Sequence, residues 1–254
     1  MPNKVKDMLA AGQVVYGVWL EWLEPDLVEF LGYLGFDYVM IDGEHTALDR
    51  VNATELIRAC DVVDMVPIVR VRENRPSEIL GYLEQGARGI YVPHVNTAAE
   101  ARAIVDAVKY APDGHRGAGS ARGVRFGLTM SGPDYLRTAN QETMVIALIE
   151  EARGIENLDE IIEVPGIDVF GIGDGDLSHT MGHPGDRGHA DVRRVVDDAE
   201  SRIARAGKVF DAVVTDVEGA RDAVRKGSLM VSVALRNTVA DALKSFLTDV
   251  KQSS

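Results

Sequence analysis

VPIVRVRENRPSEILGYLEQGARGIYVPHV, residues 66–95, contains a complete strand–helix–strand unit. Its two ends, Val66–Val71 and Gly89–Val92, are short apolar runs rich in β-branched residues, which are typical of buried strands. Between them, Pro76–Gln85 has the apolar spacing of an amphipathic helix, with a proline at its start. Two strands that are joined through a helix run parallel in a sheet, so this stretch predicts a parallel βαβ unit.

The same alternation continues along the rest of the chain. It gives eight predicted strands, which are Val14–Leu20, Tyr38–Ile41, Val66–Val71, Gly89–Val92, Met144–Ile149, Ile167–Ile172, Lys208–Thr215 and Leu229–Leu235. Eight predicted helices follow them in turn, at Pro25–Leu34, Asn52–Cys60, Pro76–Gln85, Ala98–Lys109, Ile155–Ile162, Asp191–Ala206, Glu218–Arg225 and Val239–Val250. Eight such units with continuously apolar strands predict an α/β fold, a closed (β/α)8 TIM barrel. The alternative, an open doubly wound sheet, would need a glycine-rich phosphate loop after an early strand, and the sequence has none there.

One long segment, residues 110–141, does not fit a minimal barrel. It is rich in glycine, arginine and serine and shows little periodicity, so we expect it to lack regular elements. Such a segment is usually functional or interfacial, and a flexible surface excursion is the alternative. Because it follows a helix and precedes a strand, it should begin on the face opposite the carboxyl ends of the strands. We therefore expect a single barrel domain over residues 1–254 that carries this segment.

The charge balance excludes several classes of partner. The chain has 40 acidic and 27 basic residues, a formal net charge of −13, and no local run of lysine or arginine. We therefore expect neither a nucleic acid nor a membrane surface as a partner. No run approaches the roughly 18 apolar residues of a membrane helix, and no signal peptide is evident, so we expect a cytoplasmic protein. Cys60 is the only cysteine, which excludes an internal disulfide and a thiolate cluster.

Catalytic residues of such barrels gather at the carboxyl ends of the strands. The polar residues that follow the predicted strands are Asp42, Glu44, His45, Arg70, Arg72, His94, Glu150, Glu151, Asp174 and Asp176. Two carboxylates on adjacent strands suit Mg²⁺ or Mn²⁺, which prefer oxygen ligands, and Glu150 and Asp176 are the candidates. Strand alternation brings only one of Glu150 and Glu151 into the barrel. The alternative is that these acids cap the helices that follow.

A candidate proton carrier and a candidate anion-binding group lie on neighbouring strands. His45 follows Asp42 by three residues, close enough for the carboxylate to orient the imidazole, although a plain loop histidine is the alternative. Arg70 offers planar donors to a carboxylate or an enolate, or forms a salt bridge with Asp42 or Glu44. None of the seven lysines falls at a predicted strand's carboxyl end. A carbonyl substrate would therefore be activated by a metal rather than through a Schiff base.

The chain also resembles a known family along nearly its whole length. The similarity rests on GVWLEWLEPDLVEFLGYLGFDYVMIDGEH (17–45), GARGIYVPHVNTAAEARAIVDAVKYAPDGHRGAGSAR (86–122) and LIEEARGIENLDEIIEVPGIDVFGIGDGDLSHTMGHPG (148–185). In order and spacing these stretches resemble the HpcH/HpaI family of metal-dependent pyruvate aldolases, such as 4-hydroxy-2-oxoheptanedioate aldolases. The resemblance implies a barrel whose last helix is exchanged with a neighbour in a homo-hexamer. It also implies reversible cleavage of a 4-hydroxy-2-oxo acid to pyruvate and an aldehyde through a metal-stabilised enolate.

The resemblance further implies a role for each matching residue. Glu150 and Asp176 become the ligands of a divalent cation, Mg²⁺ or Mn²⁺, with Co²⁺ as a further option. His45 with Asp42 becomes the acid/base pair, and Arg70 holds the ketone or enolate oxygen. The segment around residues 116–122 resembles the family's RGxGSA stretch and is expected to line an interface or a neighbour's pocket.

The backbone N–H groups of Gly175 and Asp176 are implied to hold the pyruvate carboxylate. Three residues depart from the family pattern: Leu148 replaces a common glutamine, Asp174 adds a carboxylate, and Arg236 stands near the end of the last strand. Arg236 is therefore expected to bind a second carboxylate on the aldehyde side. The departures leave two alternatives, another metal-enolate lyase, such as a 2-oxo-acid decarboxylase or a carbon–carbon-forming relative, and a non-catalytic oligomeric binder.

Overall fold

The computed structural model describes residues 3–252, so the first two and last two residues of the predicted 1–254 domain lie outside the described residues. Its eight strands are β1 (Val15–Leu20), β2 (Tyr38–Asp42), β3 (Val66–Arg70), β4 (Gly89–Val92), β5 (Met144–Ile149), β6 (Val169–Ile172), β7 (Val209–Val214) and β8 (Met230–Ala234). Each strand pairs in parallel with the next, and β8 pairs with β1. This closed barrel confirms the predicted (β/α)8 fold.

The helices that surround the barrel are α1 (Lys4–Ala10), α2 (Pro25–Tyr33), α3 (Arg50–Val62), α4 (Pro76–Gln85), α5 (Ala98–Val108), α6 (Gly132–Glu142), α7 (Ala152–Glu156), α8 (Leu158–Ile162), α9 (Asp174–Thr180), α10 (Ala190–Arg205), α11 (Val217–Arg225) and α12 (Leu235–Gln252). All eight predicted helices are present, and the fifth is divided into α7 and α8. The sequence did not predict α1, α6 or α9. Among residues 3–252, no helix combines the length and apolar character needed to cross a membrane.

The expectation that residues 110–141 lack regular elements is wrong, because the segment contains a short 3₁₀ helix, Arg122–Gly127, and helix α6. Ser131 caps α6, because its hydroxyl accepts the backbone N–H of Asp134 at 3.3 Å. Pro133 suggests a turn in the sequence, but proline is well tolerated in the first turn of a helix. The first half lies against the amino end of β4, where Arg122 Nη1 donates to the carbonyl of Gln85 at 2.7 Å. That position is the face opposite the carboxyl ends of the strands, as expected.

The barrel interior is apolar at its amino end and polar at its carboxyl end. Val5 and Leu9 of α1 are buried there and belong to the same cluster as interior residues of the strands. Interior glycines make room for large rings: a Cβ at Gly17 would lie 2.3 Å from the Tyr38 ring, and one at Gly171 would lie 2.1 Å from the Tyr91 hydroxyl. The amino end is therefore closed, and the carboxyl end is the open mouth where the polar strand-end residues gather.

Candidate active site

A buried ion pair between two neighbouring strands forms the floor of the mouth. Asp42 and Arg70 are direct partners in the register of β2 and β3. Arg70 Nε donates to Asp42 Oδ1 at 3.0 Å, and its Nη2 donates to Asp42 Oδ2 at 2.7 Å. The remaining Nη1 lies 2.9 Å from Glu44 Oε2, and the guanidinium lies 4.7 Å from the centroid of the Trp19 ring. These contacts hold Arg70 in one orientation: the carboxylates of Asp42 and Glu44 bind the edge of its guanidinium, and the Trp19 ring packs against its face.

The electrostatics of this pair favour both charged forms. Burial works against the charge on Asp42, but the hydrogen bonds and positive charge of Arg70 outweigh it, so the pKa of Asp42 is lowered. Burial likewise works against the guanidinium, but the bonds and charges of Asp42 and Glu44 keep the pKa of Arg70 raised. The Asp42–Arg70 pair is therefore ionised at neutral pH.

The expected contact between Asp42 and the imidazole of His45 is not formed, so that detail of the sequence analysis is wrong. Both carboxylate oxygens of Asp42 already accept hydrogen bonds from Arg70. Asp42 Oδ1 also accepts the backbone N–H groups of Glu44 at 2.9 Å and His45 at 3.2 Å. The side chain of His45 is 61% exposed, and its Nε2 lies 4.0 Å from Glu44 Oε2. Asp42 thus fixes the turn that carries His45, while the ring itself is exposed.

His94 brings three carboxylates of the mouth together. Its Nε2 lies 3.3 Å from Glu44 Oε1, and its Nδ1 lies 3.3 Å from Glu150 Oε1 and 3.0 Å from Glu151 Oε1. The backbone N–H of His94 also donates to Glu150 Oε1 at 2.9 Å. Burial lowers the pKa of His94, but the charges of the surrounding glutamates outweigh burial and raise it. The sequence placed His94 at a strand end but assigned it no role.

Glu150 is the buried acid of the Glu150–Glu151 pair, in agreement with strand alternation. Burial, reinforced by the charges of Glu44 and Asp176, raises the pKa of Glu150 to about 7, although the bonds and charge of His94 oppose this. Its Oε2 lies against Gly173, where a Cβ would be only 2.9 Å away. The side chain of Glu150 therefore extends into the mouth between β4 and β6.

Asp176 and Gly175 lie in the first turn of α9, directly after β6. Backbone N–H groups in the first turn of a helix have no partner within the helix, so these two can face an anion. Arg187, which the sequence analysis missed, approaches the same turn: its Nη2 would lie 2.9 Å from a Cβ at Gly175. Arg187 Nη1 also lies 3.5 Å from Asp174 Oδ1, so the extra carboxylate at position 174 is paired away from Glu150.

The remaining predicted residue, Arg236, lies at the rim of the mouth. It follows β8 at the start of α12, and its Nη1 lies 3.2 Å from Glu21 Oε1. Glu21 follows β1, the strand next to β8. Arg236 therefore lies at the same end of the barrel as Arg70, but at its exposed edge.

A third buried acid, besides Asp42 and Glu150, lies inside the barrel and has no predicted role. Asp211 of β7 accepts a hydrogen bond from the Tyr91 hydroxyl, with 3.2 Å between Tyr91 Oη and Asp211 Oδ2. The Tyr91 ring meets the Trp19 ring edge-on, at 5.6 Å between centroids. Burial raises the pKa of Asp211 to about 7. The sequence pattern does not reveal such a residue, because an acid within an apolar strand is normally predicted to face outward.

The donor set of the mouth fits a divalent cation. One ligand-forming atom from each of Glu44, His94 and Glu150 lies within 4.8 Å of the others. Asp176 is not part of this group but is close enough for its charge to affect Glu150. Carboxylate oxygens suit Mg²⁺ and Mn²⁺, and an imidazole nitrogen suits transition metals. A cation beside a fixed guanidinium would stabilise negative charge on a bound oxygen.

The chain is similar in sequence to proteins of one known family. The family model described as HpcH/HpaI aldolase/citrate lyase matches residues 15–241. The chain is 36% identical to a hydroxypyruvate/pyruvate aldolase of Deinococcus radiodurans, over 100% of this chain and 92% of that protein. It is 35% identical to a 4-hydroxy-2-oxo-heptane-1,7-dioate aldolase of Klebsiella pneumoniae, over 98% and 95% of the two chains.

A crystal structure of an HpcH/HpaI aldolase/citrate lyase family protein from Burkholderia cenocepacia superposes with a TM-score of 0.91. The two chains are 30% identical, and the match covers 98% of this chain and 99% of the other. Sequence and fold thus lead to one conclusion: the chain belongs to the HpcH/HpaI aldolase/citrate lyase family.

Proposed function

We propose that this protein cleaves a 4-hydroxy-2-oxo acid reversibly into pyruvate and an aldehyde, using a divalent cation, Mg²⁺ or Mn²⁺, held by Glu150 and Asp176. Membership of this aldolase family makes the protein a carbon–carbon lyase. One observation carries the proposal: a buried, fully oriented arginine lies beside a group of acids that can hold a cation. That combination suits a reaction in which negative charge develops on an oxygen.

The bound cation would act as a Lewis acid that polarises the ketone oxygen of the 2-oxo acid. Arg70 supports the same oxygen from the protein side, because its guanidinium is fixed by Asp42 and by the face of Trp19. Such pre-orientation matters because a donor that needs no rearrangement stabilises the developing charge at little cost. Asp42 acts here through Arg70 and through the turn of His45, as a positioning residue.

His45 is the residue to which we assign proton transfer, at its ring nitrogen Nε2. Its imidazole is exposed to the mouth, and Asp42 fixes its backbone through the 3.2 Å hydrogen bond. An imidazole can both remove and return a proton. Its backbone is thus held, while the ring stays accessible to a substrate hydroxyl or to water.

The first turn of α9 and the rim provide the remaining substrate contacts. The backbone N–H groups of Gly175 and Asp176 hold the carboxylate of pyruvate, with Arg187 nearby as an additional positive charge. Arg236 binds a second negative group on the aldehyde side, once its pairing with Glu21 is exchanged for the substrate. The preferred acceptor is accordingly an aldehyde that carries a carboxylate.

Deuterium exchange at the methyl group of pyruvate tests the proposal, because exchange requires an enolate but no aldehyde. We expect Mg²⁺- or Mn²⁺-loaded protein to exchange these protons in NMR spectra, a chelator to abolish the exchange, and His45→Ala to slow it strongly. Exchange that is unchanged in Glu150→Ala would show that the cation is held elsewhere. A panel of 4-hydroxy-2-oxo acids, assayed for released pyruvate, then identifies the aldehyde partner.

The assembly is also part of the proposal. No residue of α12 is buried, and Leu243, Phe246 and Leu247 are exposed on it. We propose that α12 packs on a neighbouring copy in a homo-hexamer, since an exposed apolar helix face of this kind usually has a partner. Light scattering should report a hexamer for the wild type and smaller species for Phe246→Asp; an unchanged hexamer would contradict the exchange of α12. The cytoplasmic location expected from the sequence remains a prediction.

A further inference from the structure

The buried acid Asp211 lies where an apolar side chain would be expected. It is on β7, and its partner Tyr91 belongs to the apolar cluster inside the barrel. A buried carboxyl group costs free energy unless it is hydrogen-bonded, and an apolar pair of similar volume would pack there at lower cost. A buried polar pair of this kind is commonly kept because it fixes the orientation of a side chain. Here the bond from Tyr91 Oη to Asp211 Oδ2, at 3.2 Å, fixes the Tyr91 ring.

A glycine on a third strand makes room for this hydrogen bond. Gly171 of β6 lies against both partners: a Cβ there would overlap the Tyr91 hydroxyl and would lie 2.8 Å from Asp211 Oδ1. A larger residue at position 171 would therefore push the hydroxyl away from the carboxyl group. Strands β4, β6 and β7 thus each contribute one residue to the same contact.

Tyr91 also lies beside the arginine of the mouth. Arg70 and Tyr91 are direct partners in the register of β3 and β4, and the carbonyl of Tyr91 accepts the backbone N–H of Val71 at 3.0 Å. The Tyr91 ring meets the Trp19 ring edge-on, with an interplanar angle of 86° and 5.6 Å between centroids. The centroid of the Trp19 ring in turn lies 4.7 Å from the Arg70 guanidinium. Asp211 is thus connected to Arg70 through two aromatic rings that are in contact.

We propose that Tyr91, held by Asp211, is a positioning residue for Arg70. This inference rests on the proposed function, in which Arg70 supports an oxygen that gains negative charge. The face of the Arg70 guanidinium packs on Trp19, which is only half-buried and so needs a neighbour that prevents its ring from turning. The Tyr91 ring is that neighbour, and its bond to Asp211 keeps it in place. A guanidinium held in this way stabilises the developing charge without rearrangement.

Tyr91→Phe tests the proposal, because it removes the hydroxyl and keeps the ring. In pyruvate proton exchange by the Mn²⁺-loaded full chain, we expect kcat to fall about 3- to 10-fold, the range for the loss of one hydrogen bond, and the KM for pyruvate to stay within about twofold. Oxalate, a planar dianion with the shape of the pyruvate enolate, should bind more weakly by the same factor in calorimetric titration. Asp211→Asn should keep both values, because its amide oxygen still accepts the Tyr91 hydroxyl.

Tyr38 offers the matched control. It is an equally buried tyrosine of the same interior cluster, on β2, and within residues 3–252 its hydroxyl has no hydrogen-bond partner. Tyr38→Phe should therefore leave kcat and oxalate affinity unchanged. Asp211→Leu breaks the Tyr91 bond from the other side and should reproduce the values of Tyr91→Phe. The double variant should be no worse than either single variant, because both changes remove the same hydrogen bond.

Tryptophan fluorescence reports the contact between Tyr91 and Trp19 without turnover. The chain has two tryptophans, so Trp19 is the only one left in a Trp22→Phe background. In this background we expect Tyr91→Phe to lower the anisotropy of Trp19 and to increase its quenching by acrylamide, and Tyr38→Phe to change neither. Unchanged Trp19 fluorescence in Tyr91→Phe, or wild-type kcat and oxalate affinity in both Tyr91→Phe and Asp211→Leu, would overturn the assignment. Tyr91 and Asp211 would then contribute only to packing.

The outcome for Tyr91 is separable from the outcome for the proposed reaction, since neither oxalate titration nor fluorescence requires turnover. A wild type that exchanges pyruvate protons at a rate that Tyr91→Phe leaves unchanged contradicts the positioning role alone. If Tyr91→Phe binds oxalate more weakly but the wild type neither exchanges pyruvate protons nor cleaves any 4-hydroxy-2-oxo acid, the reaction alone is contradicted. A wild type that binds no oxalate contradicts the positioning role, and the pyruvate exchange assay then decides the reaction independently.

Discussion

The two ends of the barrel both hold arginines in buried or half-buried surroundings, but with opposite balances of charge. At the carboxyl end, one buried guanidinium, Arg70, is surrounded by Asp42, Glu44 and the group around Glu150. At the amino end, a cavity of about 460 Å³ has a lining in which arginines outnumber acids; its charged residues are Asp61, Arg88, Arg116, Arg122, Arg125 and Glu142. The carboxyl end therefore has an excess of negative charge, and the amino-end cavity has an excess of positive charge.

The arginines at the amino end have structural partners. Arg122 donates to the carbonyl of Gln85 at 2.7 Å and pairs with Asp61 at 2.5 Å. The guanidinium of Arg116 lies 4.4 Å from the centroid of the Tyr110 ring. Such contacts fasten the excursion between α5 and β5 to the barrel. The cavity of about 460 Å³ therefore lies between packed elements, whereas the groups with clearly shifted pKa values at Asp42, Arg70, His94 and Glu150 lie at the carboxyl end.

The largest effect should come from Glu150, the acid at the centre of the carboxyl end. Glu150→Gln keeps the shape of the side chain but removes its charge, so metal binding and pyruvate proton exchange should fall together. We expect exchange to slow by roughly 10³-fold, in line with the loss of a metal ligand or a key charge-stabilising group. Titration with Mn²⁺ and NMR measurement of exchange provide the two readouts.

Glu200 offers the matched control. It is half-buried in α10, away from the mouth, and burial raises its pKa as it does that of Glu150. Glu200→Gln should therefore leave both readouts within about twofold of the wild type. If Glu200→Gln reduced pyruvate proton exchange as much as Glu150→Gln, the effect of Glu150 would not be specific to the carboxyl-end mouth.

The second effect compares how much the Asp42–Arg70 pair and the Asp61–Arg122 pair contribute to the stability of the protein. Asp42→Asn removes one partner of a buried pair and should lower the free energy of unfolding by about 3 kcal/mol, since Arg70 loses its bidentate partner and keeps only Glu44 as a counter-charge. Asp61→Asn removes the carboxylate that pairs with Arg122 and Arg88 at the amino end, where the side chains are partly exposed, and should cost only roughly 1 kcal/mol. Urea unfolding of both variants measures the difference, and equal losses would contradict the distinction.

The sequence predicted the barrel and the inward position of Glu150 for physical reasons that are local. Apolar β-branched runs separated by amphipathic stretches require parallel strands, and eight such units close most readily into a barrel. Alternation along β5 then distinguishes Glu150 from Glu151. The barrel fold depends on the order of the elements, and the inward position of Glu150 depends on one strand, so both can be predicted from the sequence.

Other features depend on register and backbone geometry, which the sequence does not reveal. Asp42 is a direct partner of Arg70 across β2 and β3, and this pairing takes the carboxylate that the sequence analysis assigned to the His45 ring. The bond from the His94 N–H to Glu150 accompanies a positive φ at His94, which a residue of this type seldom adopts. Helix α6 was missed because a Gly-Pro pair is as typical of turns as of helix starts.

The third effect concerns the pH dependence of stability that we expect from Asp211, the buried acid inside the barrel. Burial and the charge of Glu200 raise the pKa of Asp211 to about 7, although the bond from Tyr91 opposes this. In the unfolded chain the pKa is about 3.9, so the folded state holds the proton more tightly. This contribution to stability is complete at low pH and is lost as the pH rises through about 7.

Asp211→Asn removes the titration but keeps an oxygen that accepts the Tyr91 hydroxyl. Between pH 5 and pH 6.5, the stability of the wild type relative to Asp211→Asn should therefore fall by roughly 2 kcal/mol. Urea unfolding of both proteins at the two pH values measures this change. If the difference in free energy of unfolding between the two proteins were the same at both pH values, the pKa of Asp211 would not be raised in the folded state.

The smallest effect belongs to Arg236, at the exposed rim of the acidic end. Its side chain is 63% exposed and pairs with Glu21, so its attraction for a substrate carboxylate is screened by water. In the synthesis direction, Arg236→Gln should raise the KM for an aldehyde that carries a carboxylate by roughly 2- to 5-fold and leave the KM for propanal unchanged. Glu21→Gln releases the arginine and should lower the KM for the charged aldehyde. If Arg236→Gln altered both aldehydes equally, Arg236 would support the mouth as a whole, and the positive charge that selects substrates would be confined to Arg70 and the cation.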